Sequence, residues 1–237
     1  MPRSVWTRIA AEPEPVTLEW SRTALVAVDL QNAFLHPEGY FLRLGRAREV
    51  DLRPVVVNCR RVIACLRSRV RLVVYLRMAP GPEVDVLSGP DSVVGQKSGT
   101  LRLLREHPEM RPFLPLEGSW GAEILEELAP QAGDLVIRKS YYDGFEGTNL
   151  DSVLRAAAVK WLIFVGIASN VCVESTLRRA YHLGYRPLLV GDAVAAVGPE
   201  GVQEATLYNV KTFFGWVTDA TALIEGPEGA AEPKAEE

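Results

Sequence analysis

The 237-residue chain has 48% hydrophobic and 24% charged residues, so it can bury a large core without a metal or a disulfide. Its formal net charge of −4 argues against nucleic acid and anionic membranes as partners, because neither would be attracted electrostatically. No apolar run approaches the roughly 20 residues of a transmembrane helix, and Met1 to Trp20 lack the apolar segment of a signal peptide.

Short apolar runs rich in β-branched residues alternate with amphipathic stretches along the chain. The apolar runs predict strands at Ala24–Val28, Leu72–Leu76, Asp134–Ile137, Trp161–Val165 and Pro187–Val190. The amphipathic stretches predict helices at Val55–Leu66, Ala122–Leu128, Asp151–Ala158, Val173–Leu183 and Gly201–Phe213. Apolar strands separated by helices indicate a parallel sheet with helices on both faces, so we predict an α/β fold.

The chain shows no internal repeat and no linker that would divide it. We predict an N-terminal arm at 1–22, one domain at 23–225 and a disordered tail at 226–237, where the residues are small and acidic. The stretch Ala79–Gly99 is rich in proline and glycine and predicts a long surface loop, of the kind that often shapes an active site.

The three cysteines indicate a reducing environment. Cys59, Cys65 and Cys172 cannot all pair within one chain. Cys59 and Cys65 lie six positions apart in one predicted helix, on different faces, so they do not suggest a disulfide framework. We therefore expect the protein to act in the cytoplasm.

Three reactive side chains follow predicted strands. Asp29 ends the first strand, Lys139 follows Asp134–Ile137, and Cys172 comes after Trp161–Val165 and a short turn, where the next helix begins. Singly, each has an ordinary structural explanation as a cap, a solvated lysine or a small core residue. Because the carboxyl ends of parallel strands meet at one edge of the sheet, we expect all three in one site.

These residue types fit nucleophilic catalysis by a thiol. A cysteine at a helix N-terminus, close to the ammonium of Lys139, should have a lowered pKa and exist as a thiolate. Asp29 could take the thiol proton and later pass it to a leaving amine. Gly166 and the small residues after it would let the backbone turn and present N–H groups to an oxyanion.

Two segments of the sequence resemble the signatures of isochorismatase-like cysteine hydrolases. Val28-Asp29-Leu30-Gln31-Asn32-Ala33-Phe34 is similar to the first, and the run from Gly166 to Thr176 is similar to the nucleophile signature, with Lys139 between them. The resemblance spans roughly Glu14 to Leu223. Glu117-Gly118-Ser119-Trp120, Tyr142-Asp143-Gly144-Phe145 and Asn209–Trp216 most resemble the ureidoacrylate amidohydrolases of pyrimidine breakdown.

The resemblance implies a fold, an activity and site residues. The expected fold is a Rossmann-like α/β/α sandwich with a six-stranded, mostly parallel sheet. The expected activity is hydrolysis of a small linear amide or N-carbamoyl compound, of the ureidoacrylate or biuret kind, through a thioester on Cys172 with Asp29 and Lys139 completing a triad. It also implies a cis peptide between Ile167 and Ala168, with the N–H groups of Ala168 and Cys172 forming the oxyanion hole.

Positions near the predicted site suggest which residues contact the substrate. Asn32, Phe34 and Tyr142 are expected to line the pocket. We expect a small-molecule amide or ureido substrate, a homo-oligomer, and neither nucleic acid nor membrane as a partner.

Three positions depart from the ureidoacrylate group. Met78 and Pro80 stand where that group has an asparagine and a tryptophan, and Gly99 replaces a polar residue. Because a pocket built for hydrogen bonds rejects ligands that leave those groups unpaired, the departures predict a changed substrate.

Other functional classes lack their signals. Leu76–Asp85 contains no histidine for the metal cluster of metal-dependent relatives, and His36, His107 and His182 are far apart, so we expect no metal and no other cofactor. A nucleotide-binding protein would need glycines after the first strand, and a haloacid-dehalogenase phosphatase an aspartate at position 31. A catalytically idle binding or scaffold member of the same fold is the remaining alternative.

The missing histidine cluster predicts that activity survives chelation. After exhaustive treatment with EDTA, ammonia release should stay at the untreated rate, because a catalytic zinc needs about three protein ligands. Loss of activity with EDTA, followed by recovery on adding a divalent metal, would contradict this prediction.

Overall fold

The computed structural model describes residues 5–43, 51–87, 89 and 91–226. Within these residues the chain begins with β1 (Trp6–Ile9) and β2 (Val16–Glu19), which pair as an antiparallel hairpin. Ile9 and Leu18 in this hairpin are fully buried in the core. The described part of the predicted N-terminal arm, residues 5–22, is therefore packed on the domain. The predicted tail, apart from Gly226, lies outside the described residues.

The centre of the fold is one six-stranded sheet in the order β5-β4-β3-β6-β7-β8, in which every pair of neighbours is parallel. Its strands are β3 (Thr23–Val28), β4 (Leu72–Met78), β5 (Leu135–Lys139), β6 (Trp161–Ile167), β7 (Arg186–Ala195) and β8 (Trp216–Thr218). All residues of β3 and β6 are buried, as their continuous apolar sequence predicts for the middle of a parallel sheet. The sequence pattern predicted five of these strands and missed β8.

Nine of the ten described α-helices lie between strands along the chain, and the tenth follows the last strand. They are α1 (Asn32–Leu35), α2 (Tyr40–Arg43), α3 (Arg53–Leu66), α4 (Val84–Leu87), α5 (Val93–Lys97), α6 (Gly99–Glu106), α7 (Leu150–Ala156), α8 (Glu174–His182), α9 (Val202–Asn209) and α10 (Ala220–Glu225). The chain steps from β3 to β4 in one direction and from β6 to β7 in the other. Right-handed crossovers therefore place α3 and α8 on opposite faces of the sheet. None of the helices in the described residues is long and apolar enough to cross a bilayer.

The prediction of a helix at Ala122–Leu128 is wrong. The structure has only single 3₁₀ turns there, because the backbone forms hydrogen bonds with another segment of the chain. Ile124 forms a bridge with Gln31, and the N–H of Leu125 donates to the carbonyl of Leu30 at 2.9 Å. Amphipathic spacing could not show this pairing with a segment about 90 positions away.

The prediction of a long loop at Ala79–Gly99 is also wrong in part. Its described residues include α4 and α5, and α6 begins at its end. The side chains of Ser92 and Ser98 cap α5 and α6 by accepting the N–H groups of Gly95 and Leu101. These two serines were the sequence signal for helix starts, but the proline and glycine content of the stretch favoured the prediction of a loop.

The strand order reverses between β3 and β6, which is where an open parallel sheet forms its ligand crevice. Gly166 of β6 makes this junction possible. It has φ +123°, and a Cβ there would lie 2.0 Å from the carbonyl oxygen of Val28. Only glycine lets β6 approach β3 this closely.

Gly166→Ala is therefore expected to lower the free energy of unfolding by about 3 kcal/mol or more. The matched control is Gly133→Ala, because Gly133 has φ +98° but no atom within 4 Å of an added Cβ. The two variants share the backbone strain, so the difference between their denaturant midpoints measures the contact with Val28. Equal midpoints would contradict the prediction.

Candidate active site

Three side chains meet at the carboxyl edge of the sheet. Asp29 follows β3, Lys139 ends β5, and Cys172 lies in the π-helical turn Ser169–Val173 that leads from β6 into α8. Asp29, Lys139 and Cys172 are 0%, 1% and 6% exposed. The structure thus brings together the three residues that the sequence predicted.

Asp29 and Lys139 form a buried ion pair. Lys139 Nζ donates to Asp29 Oδ2 at 2.9 Å and to the carbonyl of Tyr141 at 3.1 Å. Asp29 Oδ1 accepts the N–H of Met78 at 2.9 Å. Asp29 also has φ 51°, a left-handed conformation that a non-glycine residue adopts at a cost of about 1–3 kcal/mol. The backbone thus holds the carboxylate in one direction.

The thiol of Cys172 lies beside this pair, close enough for both side chains to change its pKa. The turn that carries it starts after the cis peptide between Ile167 and Ala168, which the resemblance predicted and the structure contains. The N–H groups of Ala168 and Cys172, the predicted oxyanion hole, belong to this same turn.

The sequence analysis missed the side chains that hold the nucleophile turn. Thr176 Oγ1 donates to the carbonyl of Cys172 at 2.7 Å and accepts the N–H of Gly144 at 2.9 Å. The amide of Asn170 bonds both the carbonyl and the N–H of Val197, at 2.9 and 3.0 Å. The turn is therefore fixed to loops on both of its sides.

Gln31 lies in the first signature, but the sequence did not predict a role for it in the site. Its Oε1 accepts the same Met78 N–H that Asp29 accepts, at 2.9 Å. Its Nε2 donates to the carbonyls of Met78 and Ala122 at 2.8 and 3.0 Å. Gln31 is fully buried and therefore fixes the end of β4 against Asp29.

Comparison with known proteins identifies the family. The family model described as the Isochorismatase domain matches residues 23–222. The ureidoacrylate amidohydrolase RutB of Rhizobium rhizogenes is 41% identical over 233 residues, which cover 98% of this chain and 94% of that protein.

The chain belongs to the isochorismatase family.

Two solved structures, one of a cysteine hydrolase and one of an amidase, share its fold. A cysteine hydrolase from Pseudomonas syringae pv. phaseolicola has a TM-score of 0.69 and 27% identity, covering 94% of this chain and 97% of its own. The N-carbamoylsarcosine amidase of Thermoplasma acidophilum has a TM-score of 0.60 and 28% identity, covering 84% and 96%. The six-stranded parallel sheet predicted from the resemblance is thus confirmed.

In this isochorismatase family member a cavity of about 560 Å³ opens beside Cys172. Phe34 and Tyr142, two of the three expected pocket residues, line it. Asn32 is not among the lining residues, and its amide nitrogen donates to the carbonyl of Trp120 at 3.1 Å. The ring of His36 packs against Trp120 at 4.9 Å and is likewise outside the lining.

The departures from the ureidoacrylate group all lie in the cavity wall. Met78, Pro80 and Gly99 line the cavity, together with residues of α5, which lies within the predicted loop, and of α6, which begins at its end. An ionic contact holds this wall: Glu83 accepts from Arg138 at 2.6 Å and from Ser140. The hydroxyl of Ser140 and the guanidinium of Arg138 lower the pKa of Glu83 to about 2, so its carboxylate stays charged.

The Cys172 thiol has a raised pKa, contrary to the thiolate expected from the sequence. Burial is the main cause, and the carboxylate of Asp29 adds to it, while the ammonium of Lys139 acts in the opposite direction. Burial also disfavours the charge on Lys139, but Asp29 and Cys172 together outweigh it and raise the pKa of Lys139. The resting site therefore holds a neutral thiol next to a charged pair.

Histidines do not assemble a metal site in the described part of the chain. No group of three or more His, Cys, Asp or Glu side chains there is placed to hold a metal ion. His107 instead contacts Glu109 at 3.1 Å, and His182 packs on Tyr181.

The raised pKa predicts how Cys172 reacts with iodoacetamide. Because the thiolate is the reactive form, the labelling rate of the Cys172 peptide should rise about tenfold per pH unit from 7 to 9, without a plateau. Mass spectrometry of the Cys172 peptide measures the rate. A plateau below pH 8 would contradict the raised pKa.

Proposed function

We propose that this chain is a metal-independent cysteine amidohydrolase that cleaves a small linear amide or N-carbamoyl compound through a thioester intermediate. The observation that carries the proposal is the thiol of Cys172, which faces the buried Asp29–Lys139 pair at the wall of the cavity. Relatives support the substrate class, since two of them are named for ureidoacrylate and for N-carbamoylsarcosine.

The first half of the reaction forms the acyl enzyme. As the sulfur of Cys172 attacks the substrate carbonyl carbon, the thiol proton passes to the carboxylate of Asp29. The tetrahedral intermediate then loses ammonia or an amine, which takes the proton from Asp29 as the C–N bond breaks. Since the thiol rests neutral, proton transfer accompanies attack, and the site needs no stored thiolate.

The second half regenerates the thiol. Water gives a proton to Asp29 as its oxygen attacks the thioester, which is a thiocarbamate when the substrate is a ureide. The C–S bond breaks and the proton returns to the sulfur of Cys172. The product is a carboxylic acid or a carbamate, and the carbamate decomposes to an amine or ammonia and carbon dioxide.

Lys139 stabilises the charges that develop. Its ammonium stays protonated because Asp29 balances it, so it can face the thiolate while the sulfur attacks. The contact with the Tyr141 carbonyl keeps Nζ in place when the charge on Asp29 is neutralised. We therefore assign Lys139 to electrostatic stabilisation and not to proton transfer.

The N–H groups of Ala168 and Cys172 are proposed to hold the oxyanion. Both belong to the segment between β6 and α8, where the start of a helix leaves backbone N–H groups without an intrahelical partner. Phe34 and Tyr142 are proposed to contact the substrate, since both line the cavity. Asn32 is better explained as a structural residue that ties α1 to the Trp120 carbonyl.

A catalytically idle binding or scaffold role explains the buried ion pair less well than catalysis does. A binding protein needs no ion pair whose two charges are removed from water, because burying them costs free energy. Here the pair is fully buried and faces a thiol. This arrangement favours catalysis.

We further propose a homo-oligomer that acts in the cytoplasm. The described cysteines are all free, which suits a reducing compartment. Tyr181, Tyr208 and Phe213 are 46%, 57% and 58% exposed and lie in one aromatic cluster with Phe214. An exposed cluster of this kind is typical of a surface that a second copy covers.

Loss of the thiol should abolish turnover. Cys172→Ala and Asp29→Asn are each expected to lower kcat/KM for ammonia release by about 10³-fold or more, because members of a catalytic unit act together. Cys65→Ala is the matched control, since Cys65 is a partly exposed cysteine of α3 outside the cavity.

Unchanged thermal unfolding of Cys172→Ala and Cys65→Ala would show that the loss in Cys172→Ala is chemical. Asp29→Asn leaves the buried Lys139 without its partner and should unfold at a lower temperature, so its activity is measured where circular dichroism shows it folded. Retained turnover in Cys172→Ala would contradict the proposed function.

A further inference from the structure

The cavity beside Cys172 has a mostly apolar wall. Its apolar lining comes from rings and aliphatic side chains on several elements: Phe34, Tyr40, Phe41, Met78, Val93 and Leu101. Met78 and Pro80 also line the cavity, and neither side chain carries a hydrogen-bonding group. An apolar wall of this kind gains nothing from a polar ligand and favours one that carries an apolar group.

The size of the cavity supports the same conclusion. A volume of about 560 Å³ lies in the range of roughly 300–1,000 Å³ found for pockets that hold drug-sized ligands. A ureide with only a short acid chain would leave much of the apolar wall in contact with water. A phenyl or branched alkyl group would fill that space.

Lys97 is the charged side chain among the described residues that line the cavity. It ends α5, its side chain is exposed, and none of the ion pairs formed among the described residues includes it. Lys139 beneath the cavity is different, because Asp29 already balances its charge. Lys97 is therefore the cation available to an anionic ligand in this cavity.

We infer that the substrate is an N-carbamoyl amino acid with a large apolar side chain, whose carboxylate pairs with Lys97 while the side chain packs against Phe41 and Met78. The inference rests on the proposed function and names the substrate class of the same site. Cys172 attacks the carbamoyl carbon, and the products are the free amino acid, carbon dioxide and ammonia, with one water consumed.

A substrate series tests the inference. Ammonia release is measured with N-carbamoylglycine, N-carbamoylphenylalanine in both enantiomers, ureidoacrylate, and phenethylurea, which is N-carbamoylphenylalanine without its carboxylate. One enantiomer of N-carbamoylphenylalanine should exceed N-carbamoylglycine and ureidoacrylate in kcat/KM by about tenfold or more, since even one methylene in an apolar pocket contributes about 10–200-fold. It should exceed phenethylurea by about tenfold, because a charge-assisted contact is lost.

Variants assign these preferences to residues. Lys97→Met should reduce the kcat/KM ratio of N-carbamoylphenylalanine to phenethylurea by about tenfold, and Lys97→Arg should restore most of it. Lys160→Met, which removes a cation outside the cavity, should leave the ratio unchanged. Met78→Asn combined with Pro80→Trp should shift the preference toward ureidoacrylate.

Binding to Cys172→Ala separates this inference from the proposed function. Calorimetry should show N-carbamoylphenylalanine binding more tightly than N-carbamoylglycine and phenethylurea. If the native protein releases ammonia from none of the compounds, the proposed function fails, and the binding order still decides the inference. If N-carbamoylglycine or ureidoacrylate is preferred, or if Lys97→Met leaves the ratio unchanged, the inference is overturned while the hydrolase remains.

Discussion

The buried ion pair between Asp29 and Lys139 is the interaction on which the site depends. Removing both charges from water is unfavourable, and a pair at 2.9 Å compensates only if its remaining bonding groups also find partners. They do: Met78 donates to the free carboxylate oxygen and Tyr141 accepts from the ammonium. Loss of either Asp29 or Lys139 would leave the other charge buried without its partner, at a cost of about 3–5 kcal/mol. The pair also joins the ends of three adjacent strands, β3, β4 and β5.

This constraint explains the protonation state of the thiol. The fixed carboxylate of Asp29 and the lack of water both oppose a thiolate, and the ammonium of Lys139 offsets them only in part. A neutral thiol is less exposed to unwanted oxidation or alkylation, because the thiolate is the reactive form. In the proposed mechanism the thiol of Cys172 loses its proton only when the sulfur attacks the substrate carbonyl, since attack and proton transfer to Asp29 occur together.

In the proposed function, chemistry and substrate choice are carried by different parts of the fold. The proposed reacting groups lie at the ends of β3 and β5 and in the turn after β6, which the central sheet holds rigidly. Much of the cavity wall comes from α5 and α6, which lie outside the sheet. Changes such as Met78, Pro80 and Gly99 can therefore alter the ligand while the Asp29–Lys139 pair stays intact, because they change the wall and not the reacting atoms.

The sequence by itself determined the fold class and the three residues of the site. Continuous apolar strands alternating with helices allow few topologies, and reactive residues at strand ends must share one edge. Tertiary structure alone decided the rest. The stretch Ala122–Leu128 has helical spacing but does not form a helix, because its backbone pairs with the segment around Gln31. Local periodicity cannot encode this contact between distant segments. The protonation state of Cys172 likewise depends on burial and on Asp29, far away in sequence, because a pKa is set by the charges and solvent around a group in space.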